Sequence, residues 1–181
     1  MALTHHPVLN KHGDVITSAI TNLDLHDISR VSKTYGARSF YVITPLEEQR
    51  VLIEKIVSHW VKGEGSRYNP KRREALELIN IKTSLEDVKE HIYKTTGDFP
   101  KTVVTSAKSS PNNISFDMFR DMLKGDHFYL LILGTAWGLA EKCITEADYF
   151  LDPIWGTSDY NHLSVRSASA IILDRLFGRR E

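Results

Sequence analysis

The sequence predicts an α/β fold, a parallel β-sheet flanked by helices, in a single domain spanning residues 1–181. Three observations predict it. From Val15 onward, short β-branched and aromatic runs alternate with amphipathic stretches of helical spacing, the order that strand–helix–strand units produce. A chain of 181 residues suffices for one domain with its own core. Hydrophobic residues make up 41% and charged residues 25%, a balance that excludes extensive disorder.

In chain order, the candidate strands are Val15–Ile20, Phe40–Ile43, Thr102–Thr105, Phe128–Leu133 and Tyr149–Leu151. Between the first two, Leu25–Tyr35 reads as a helix with Leu25, Ile28, Val31 and Tyr35 on its apolar side. His26 and Arg30 share the opposite side at i, i+4, and Asp27 is spaced to pair with Arg30. Such an exposed pair is worth under about 1 kcal/mol. After Phe40–Ile43, Thr44, Pro45 and Glu47 read as a cap, a first-turn proline and a capping-box acid. They precede a stripe of Leu52, Ile53, Ile56, Val57 and Trp60. Gly63–Pro70 reads as a loop, Pro70–Ile79 as a second helix, and Leu85–Tyr93 as a third capped by Ser84. Leu139–Ala147 is apolar and helical, with Cys143 as a buried thiol. The last helix, Val165–Phe177, follows Ser164 as its cap. It carries Val165, Ala168, Ile172 and Leu176 on one stripe with Ile171 and Leu173 beside it, so it is enclosed or lies in a subunit interface.

Composition narrows the function classes. Lysines and arginines balance aspartates and glutamates to a formal charge of +0, so a nucleic-acid partner must be held by a local patch. One cysteine cannot make an intrachain disulfide, which points to a reducing compartment. The N-terminal residues lack the order of a secretory signal, and the longest apolar run, Phe128–Leu133, is too short to cross a bilayer. The expectation is a cytoplasmic protein without membrane contact. His5, His6, His12, His59, His91 and His127 are scattered without a pair-plus-acid motif, so no metal is expected.

Parallel sheets gather ligands at the carboxyl ends of their strands, and the residues there are informative. Gly134 and Gly138 flank a turn between a strand and a helix, where missing β-carbons let backbone groups approach a ligand. The turn has no Gly-Lys-Ser/Thr ending, and G-x-G-x-x-G is absent, so a nucleoside triphosphate or a dinucleotide is not the first choice. Taken alone, the two glycines also fit a purely structural turn. Asn161-His162-Leu163-Ser164 leads into the last helix, and His162 fits either a ring bonded to loop backbone or a proton acceptor. Lys62, Arg67, Lys71, Arg72 and Arg73 cluster around Gly63–Pro70 with Glu64 against them, and Tyr68 offers a ring for stacking. That cluster is the one local patch suited to a phosphate backbone, and it fits a solvated loop equally well.

Gly134-Thr-Ala-Trp-Gly-Leu139, Asp152-Pro-Ile154 and Asn161-His-Leu-Ser-Val-Arg-Ser-Ala168 follow one another in an order and spacing that resembles the SPOUT superfamily of knotted, S-adenosylmethionine-dependent RNA methyltransferases. Asn22, Arg30 and Gly36 resemble the first motif of its ribose-methylating members. The likeness covers nearly the whole chain and extends to the superfamily's small bacterial branch of one-domain members. It implies a C-terminal deep trefoil knot in which Tyr149–Leu151 and Val165–Phe177 thread a preceding loop, a rare exception to ordinary chain connection. It also implies a homodimer through the knot. The cofactor would lie against Thr105, Ser106, Gly134, Thr135, Gly138, Leu139, Pro153, Ile154, Gly156, Asn161, His162, Leu163 and Val165. In the catalytic role the resemblance places Arg30 and Asn22, with His162 as proton acceptor backed by Asp27 and His26. Arg67, Tyr68, Lys71, Arg72 and Arg73 are the expected RNA contacts.

Two departures bear on the target. Ribose-methylating members place a glutamate between the two glycines, where this chain has Thr135-Ala136-Trp137. His162 stands where those relatives carry asparagine, and Gly156 followed by Asn161-His162 looks like the guanine-N1 tRNA methyltransferases. Base or ribose, in tRNA or rRNA, stays open. The alternative is a knotted RNA-binding or assembly protein that binds the cofactor without methyl transfer. A third account is an enzyme of a small metabolite.

Overall fold

The computed structural model describes residues 1–110 and 113–179. Its frame is a seven-stranded sheet built from β1 (Ala2–Thr4), β4 (Phe40–Ile43), β5 (Ile79–Lys82), β6 (Lys101–Val104), β7 (Asn113–Ile114), β8 (Tyr129–Gly134) and β9 (Tyr149–Leu151). The spatial order is β5-β4-β1-β8-β6-β9-β7, and every pairing in it is parallel. Among the described residues, seven helices lie between strands, α1 (Asn22–Thr34), α2 (Glu47–Val61), α3 (Glu64–Tyr68), α4 (Pro70–Leu76), α5 (Leu85–Thr96), α6 (Phe116–Met122) and α7 (Glu141–Thr145), and α8 (Val165–Phe177) follows the last strand.

Alternation along the strands sorts the core into two faces. Leu3, Phe40, Val42, Val103, Leu131 and Leu133 point to one side, where α1, α2, α6 and α8 contribute Leu25, Ile28, Ile53, Phe119, Ile172 and Leu176. Ala2, Tyr41, Ile43, Val104, Leu130 and Ile132 point to the other, covered by Val88 of α5 and Cys143 of α7. A sheet buried on both faces needs strands apolar at successive positions, which is why Phe40–Ile43 and Leu130–Leu133 read as continuous apolar runs.

Four expectations are corrected. Val15–Ile20 is not a strand of the main sheet: β3 (Val15–Ile16) pairs antiparallel with β2 (Val8–Leu9) in a separate hairpin. The first strand of the parallel sheet is β1, a segment too short to show alternation, and it lies between β4 and β8. The second helix stops at Leu76, and Ile79–Lys82 is the edge strand β5. Thr44 does not cap α2. The N-cap is Leu46, without a side-chain bond, and the Thr44 hydroxyl accepts from the Leu46 amide instead. The Gly63–Pro70 loop contains the short helix α3. Ser84 and Ser164 cap α5 and α8 as expected, each accepting from an amide three residues on.

Candidate active site

Strands β8, β6 and β9 are neighbours, so the residues that follow them meet at one carboxyl edge. The turn after β8 doubles back tightly. A Cβ on Gly134 would stand 2.8 Å from the Leu139 amide nitrogen, so only glycine lets the two ends of the turn touch. Gly138 sits at φ 109° and Ala136 at φ 52°. The β2–β3 hairpin pins the outside of this turn by backbone bonds: Leu9 N–H to the Gly138 carbonyl (2.9 Å), Trp137 N–H to the Leu9 carbonyl (3.1 Å) and Ala140 N–H to the Pro7 carbonyl (3.2 Å). The Ala136 and Leu139 amides enter none of the backbone bonds among the described residues.

A partly buried polar chain fixes the start of the turn. The Thr135 hydroxyl donates to the Thr4 carbonyl at 3.0 Å and lies 2.5 Å from the Ser18 hydroxyl, which is 2.9 Å from Nδ1 of His5. Since a carbonyl only accepts, the protons run from His5 Nδ1 to Ser18, to Thr135, to Thr4. His5 is fully buried, and this order leaves its Nε2 as a bare acceptor without a partner among the described residues. Burial pushes the His5 imidazole down to about 4, against the opposing pull of the Asp24 carboxylate and the Ala19 backbone. His5 follows the central strand and was passed over in the sequence because that strand was not seen.

The loops after β6 and β9 face each other. Both the amide and the hydroxyl of Thr105 donate to the Ile132 carbonyl, each at 3.2 Å, Ser106 Oγ accepts from Lys108 N–H at 3.0 Å, and the Asn161 side-chain amide donates to the Ala107 carbonyl at 3.0 Å. Pro153 is buried and Ile154 packs against the core, while Gly156, His162 and Leu163 are exposed. The result is an open lip of backbone groups, small hydroxyls and apolar side chains, with no arginine and only Lys108 as a cation between Thr105–Ser110 and Asp152–Ser164. That donor set fits S-adenosylmethionine: uncharged backbone groups suit a neutral adenine, and scarcity of cations suits a sulfonium. Thr105, Ser106, Gly134, Thr135, Gly138, Leu139, Pro153, Ile154, Gly156, Asn161, His162, Leu163 and Val165, the residues expected to hold it, lie at the ends of β6, β8 and β9 or in the segments that follow them.

The expected catalytic residues are not joined to one another by any hydrogen bond or ion pair among the described residues. Asn22 lies in the first turn of α1 and is exposed; Arg30 is exposed two turns on. His162 stands edge-on to Tyr160, centroids 5.4 Å apart. Asp27 does not pair with Arg30. It and Asp24 flank Arg166 of α8, at 3.7 and 3.8 Å, and Tyr35 donates to Asp174 at 2.8 Å, so α1 and α8 are linked at both ends. The face of His26 is not open to solvent as the helical spacing implied: its ring meets Trp60 of α2 at 5.4 Å, and α1 packs on α4. Burial and the nearby Arg72 charge hold its imidazole below the ordinary value.

The basic patch is more neutralised than its sequence suggested. Lys71 pairs with Glu74 (2.9 Å) and Arg73 with Glu77 (2.8 Å), while Arg67 reaches Glu64 only at 4.0 Å. Arg72 lies over the Trp60 ring at 4.4 Å, and Tyr68 projects into solvent. No helix among the described residues is long and apolar enough to cross a membrane, and none of their His, Cys, Asp or Glu side chains form a group of three or more that could hold a metal ion.

Known proteins agree with this architecture. The chain is 39% identical over 180 residues to an uncharacterized protein of Aquifex aeolicus, covering 99% of this chain and 88% of that one. It is 45% identical over 177 residues to a tRNA (guanine-N(1)-)-methyltransferase of Nitratidesulfovibrio vulgaris, covering 98% of this chain but 41% of that protein. Among solved structures, a putative methylase family protein from Neisseria gonorrhoeae superposes with a TM-score of 0.65 at 14% identity, over 98% of this chain and 80% of that one. The SpoU methyltransferase AviRb of Streptomyces viridochromogenes, solved with AdoMet, superposes with a TM-score of 0.57 at 17% identity, over 97% and 55%. At such identities the structures establish the fold, that of the SPOUT methyltransferases. The sequence itself matches the family described as SAM-dependent RNA methyltransferase from residue 1 to residue 178, a span that takes in every strand and helix from β1 to α8. The chain therefore belongs to the SAM-dependent RNA methyltransferase family.

Proposed function

We propose that the protein methylates a tRNA nucleotide as a homodimer, with S-adenosylmethionine held in the lip between Thr105–Ser106, Gly134–Leu139 and Pro153–Val165. The observation that carries the reading is the convergence of three backbone-rich loops at adjacent strand ends, tied across the gap by Asn161 and Ala107. Trp137, Trp155, Tyr160 and Leu163 around that lip are exposed large apolar groups, a surface suited to a second copy. The knot implied by the resemblance would pass β9 and α8 through the preceding loop. A cytoplasmic location accords with such a substrate.

When bound, the cofactor supplies an electrophilic methyl on a sulfonium. The chain's own part is to align a nucleophile, exclude water and take up the released proton. Arg30, whose guanidinium has no partner among the described residues, is suited to RNA phosphate or to a nucleophile losing its proton. Asn22 orients the nucleotide, and an imidazole nitrogen of His162 accepts the proton. The tRNA assignment draws on the name of the Nitratidesulfovibrio relative. That protein is more than twice as long as the shared region, since the chain spans 41% of it, so its guanine-N1 target is not transferred here.

Calorimetric titration with S-adenosylmethionine tests the reading. Gly138 is a poor place to block the site, because at φ 109° any side chain strains the turn. Gly156 has open space at its Cβ, so Gly156→Trp fills the lip without that strain. Saturable binding lost in Gly156→Trp, with labelled methyl entering tRNA from cells that lack the protein, is the expected result. No binding at millimolar cofactor sinks it; binding without transfer to any RNA leaves the non-catalytic RNA-binding account.

A further inference from the structure

The corner where α2 runs into α3 holds a depression of about 530 Å3 lined by His59, Trp60, Glu64, Gly65, Arg67 and Tyr68. Its floor is the Trp60 indole, held by the near-perpendicular rings of His26 at 5.4 Å and His59 at 5.2 Å and by the Arg72 guanidinium 4.4 Å over the ring. Gly65 makes this corner possible. A Cβ there would stand 2.7 Å from Trp60 Cε3 and 3.0 Å from the His59 carbonyl, so glycine alone lets α3 lie against the indole. At the rim, Tyr68 is 88% exposed and makes no ring contact or side-chain hydrogen bond among the described residues. A large ring so placed contributes little to the fold.

We infer that this depression receives one unpaired base of the substrate RNA, stacked on Tyr68, with the flanking phosphates met by Arg67 and Lys62. A base presents flat π faces that stack on aromatic rings whatever its identity. Its backbone calls for cations, and the Arg67 side chain is 85% exposed and only loosely held by Glu64. Duplex RNA offers no unstacked base and does not fit. His26, whose ring packs against the Trp60 floor, stands one helical turn from Arg30 on α1, so a base anchored here sits beside the proposed catalytic surface. The inference rests on the RNA-methyltransferase reading and adds that the enzyme grips an unpaired nucleotide.

Fluorescence anisotropy on the full chain tests it with three probes: a single-stranded hexaribonucleotide, its all-abasic tetrahydrofuran analogue and a blunt RNA duplex. Tyr68→Ala is expected to weaken the hexanucleotide about tenfold without changing the salt slope, because no phosphate contact is lost. Tyr68→Phe should bind within about twofold of the parent. The abasic strand should bind the parent about tenfold more weakly and lose nothing further in Tyr68→Ala. Equal losses on intact and abasic strands, or a silent Tyr68→Ala, overturn the proposal. S-adenosylmethionine titration of the same preparations reports separately on the cofactor reading beneath it.

Discussion

The side-chain amide of Asn161 donates a 3.0 Å hydrogen bond to the backbone carbonyl of Ala107, joining two loops 54 residues apart. The bond closes one wall of the lip and belongs to no helix or strand, so its loss should fall on the ligand more than on the fold. Asn161→Ala is expected to weaken S-adenosylmethionine up to about tenfold, the worth of one net hydrogen bond. Its Tm should stay within about 3 °C of the parent. Calorimetry and a thermal melt of one preparation check both numbers.

Arg166 stands between Asp24 and Asp27 at 3.8 and 3.7 Å, its side chain 31% accessible. These are ion pairs beyond hydrogen-bond distance and partly screened. Arg166→Met keeps the aliphatic packing of the stem and is expected to cost about 1 kcal/mol, a Tm decrease of about 2–4 °C. The difference from the parent should shrink in molar salt, which denaturation curves at low and high ionic strength will show.

His5 makes the fold acid-sensitive. Its value in the folded state is depressed to about 4 from 6.5, so the unfolded chain binds the proton first. The imidazole does not oppose folding above pH 6.5 and increasingly does so as the pH falls from 6.5 towards 4. The full penalty is about 3 kcal/mol. His5→Asn keeps a group near the Nδ1 position for Ser18 and removes the titration. Its stability relative to the parent should therefore improve between pH 7 and pH 4.5 in denaturant midpoints; parallel curves would contradict the assignment.

Asp148 lies at the other end of the sheet from the lip. It accepts from Thr102 N–H and Thr102 Oγ1, both at 2.8 Å, and from Lys101 at 3.1 Å. Burial works against its charge, but these bonds outweigh it and hold its carboxyl below the ordinary value. Stability from this group is present above the unfolded carboxylate value and is lost as pH falls through the lower folded one. Asp148→Ala is expected to cost about 2–3 kcal/mol, and Lys101→Ala under about 1 kcal/mol. Cofactor affinity measured well below the melt should be unchanged in both.

Much of the frame was legible because the relevant signals are local. Phe40–Ile43, Tyr149–Leu151 and Val165–Phe177 have the predicted bounds, since each joins a strong apolar pattern to nearby punctuation. Ala2–Thr4 was missed because three residues cannot display alternation, and Ile79–Lys82 was absorbed into a helix because Leu76 and Ile79 happen to fit helical spacing. The residues of the lip could be named from motif order, whereas Arg166 and His5 could not. Their partners Asp24 and Ser18 lie on other segments, and only the packing of α1 on α8 and the return of the chain past the end of β1 bring them together. The basic patch differs, because its cations Lys71 and Arg73 are met by Glu74 and Glu77 within α4 and just beyond it, at local i, i+3 and i, i+4 spacings.

β1 is the earliest strand in the chain and lies between β4 and β8 in the sheet. The bond from the Thr135 hydroxyl to its Thr4 carbonyl spans 131 residues. Contacts of that separation form against a large loop-closure entropy and make folding slow. On a ribosome adding about 5–20 residues per second, β1 can pair with β4 early but must wait several more seconds for β8, with one edge of an apolar strand unpaired. Completion of the sheet is therefore a late event of synthesis, and the nascent chain passes through a stage in which Leu3 and Phe40 depend on chaperones or on speed to escape aggregation.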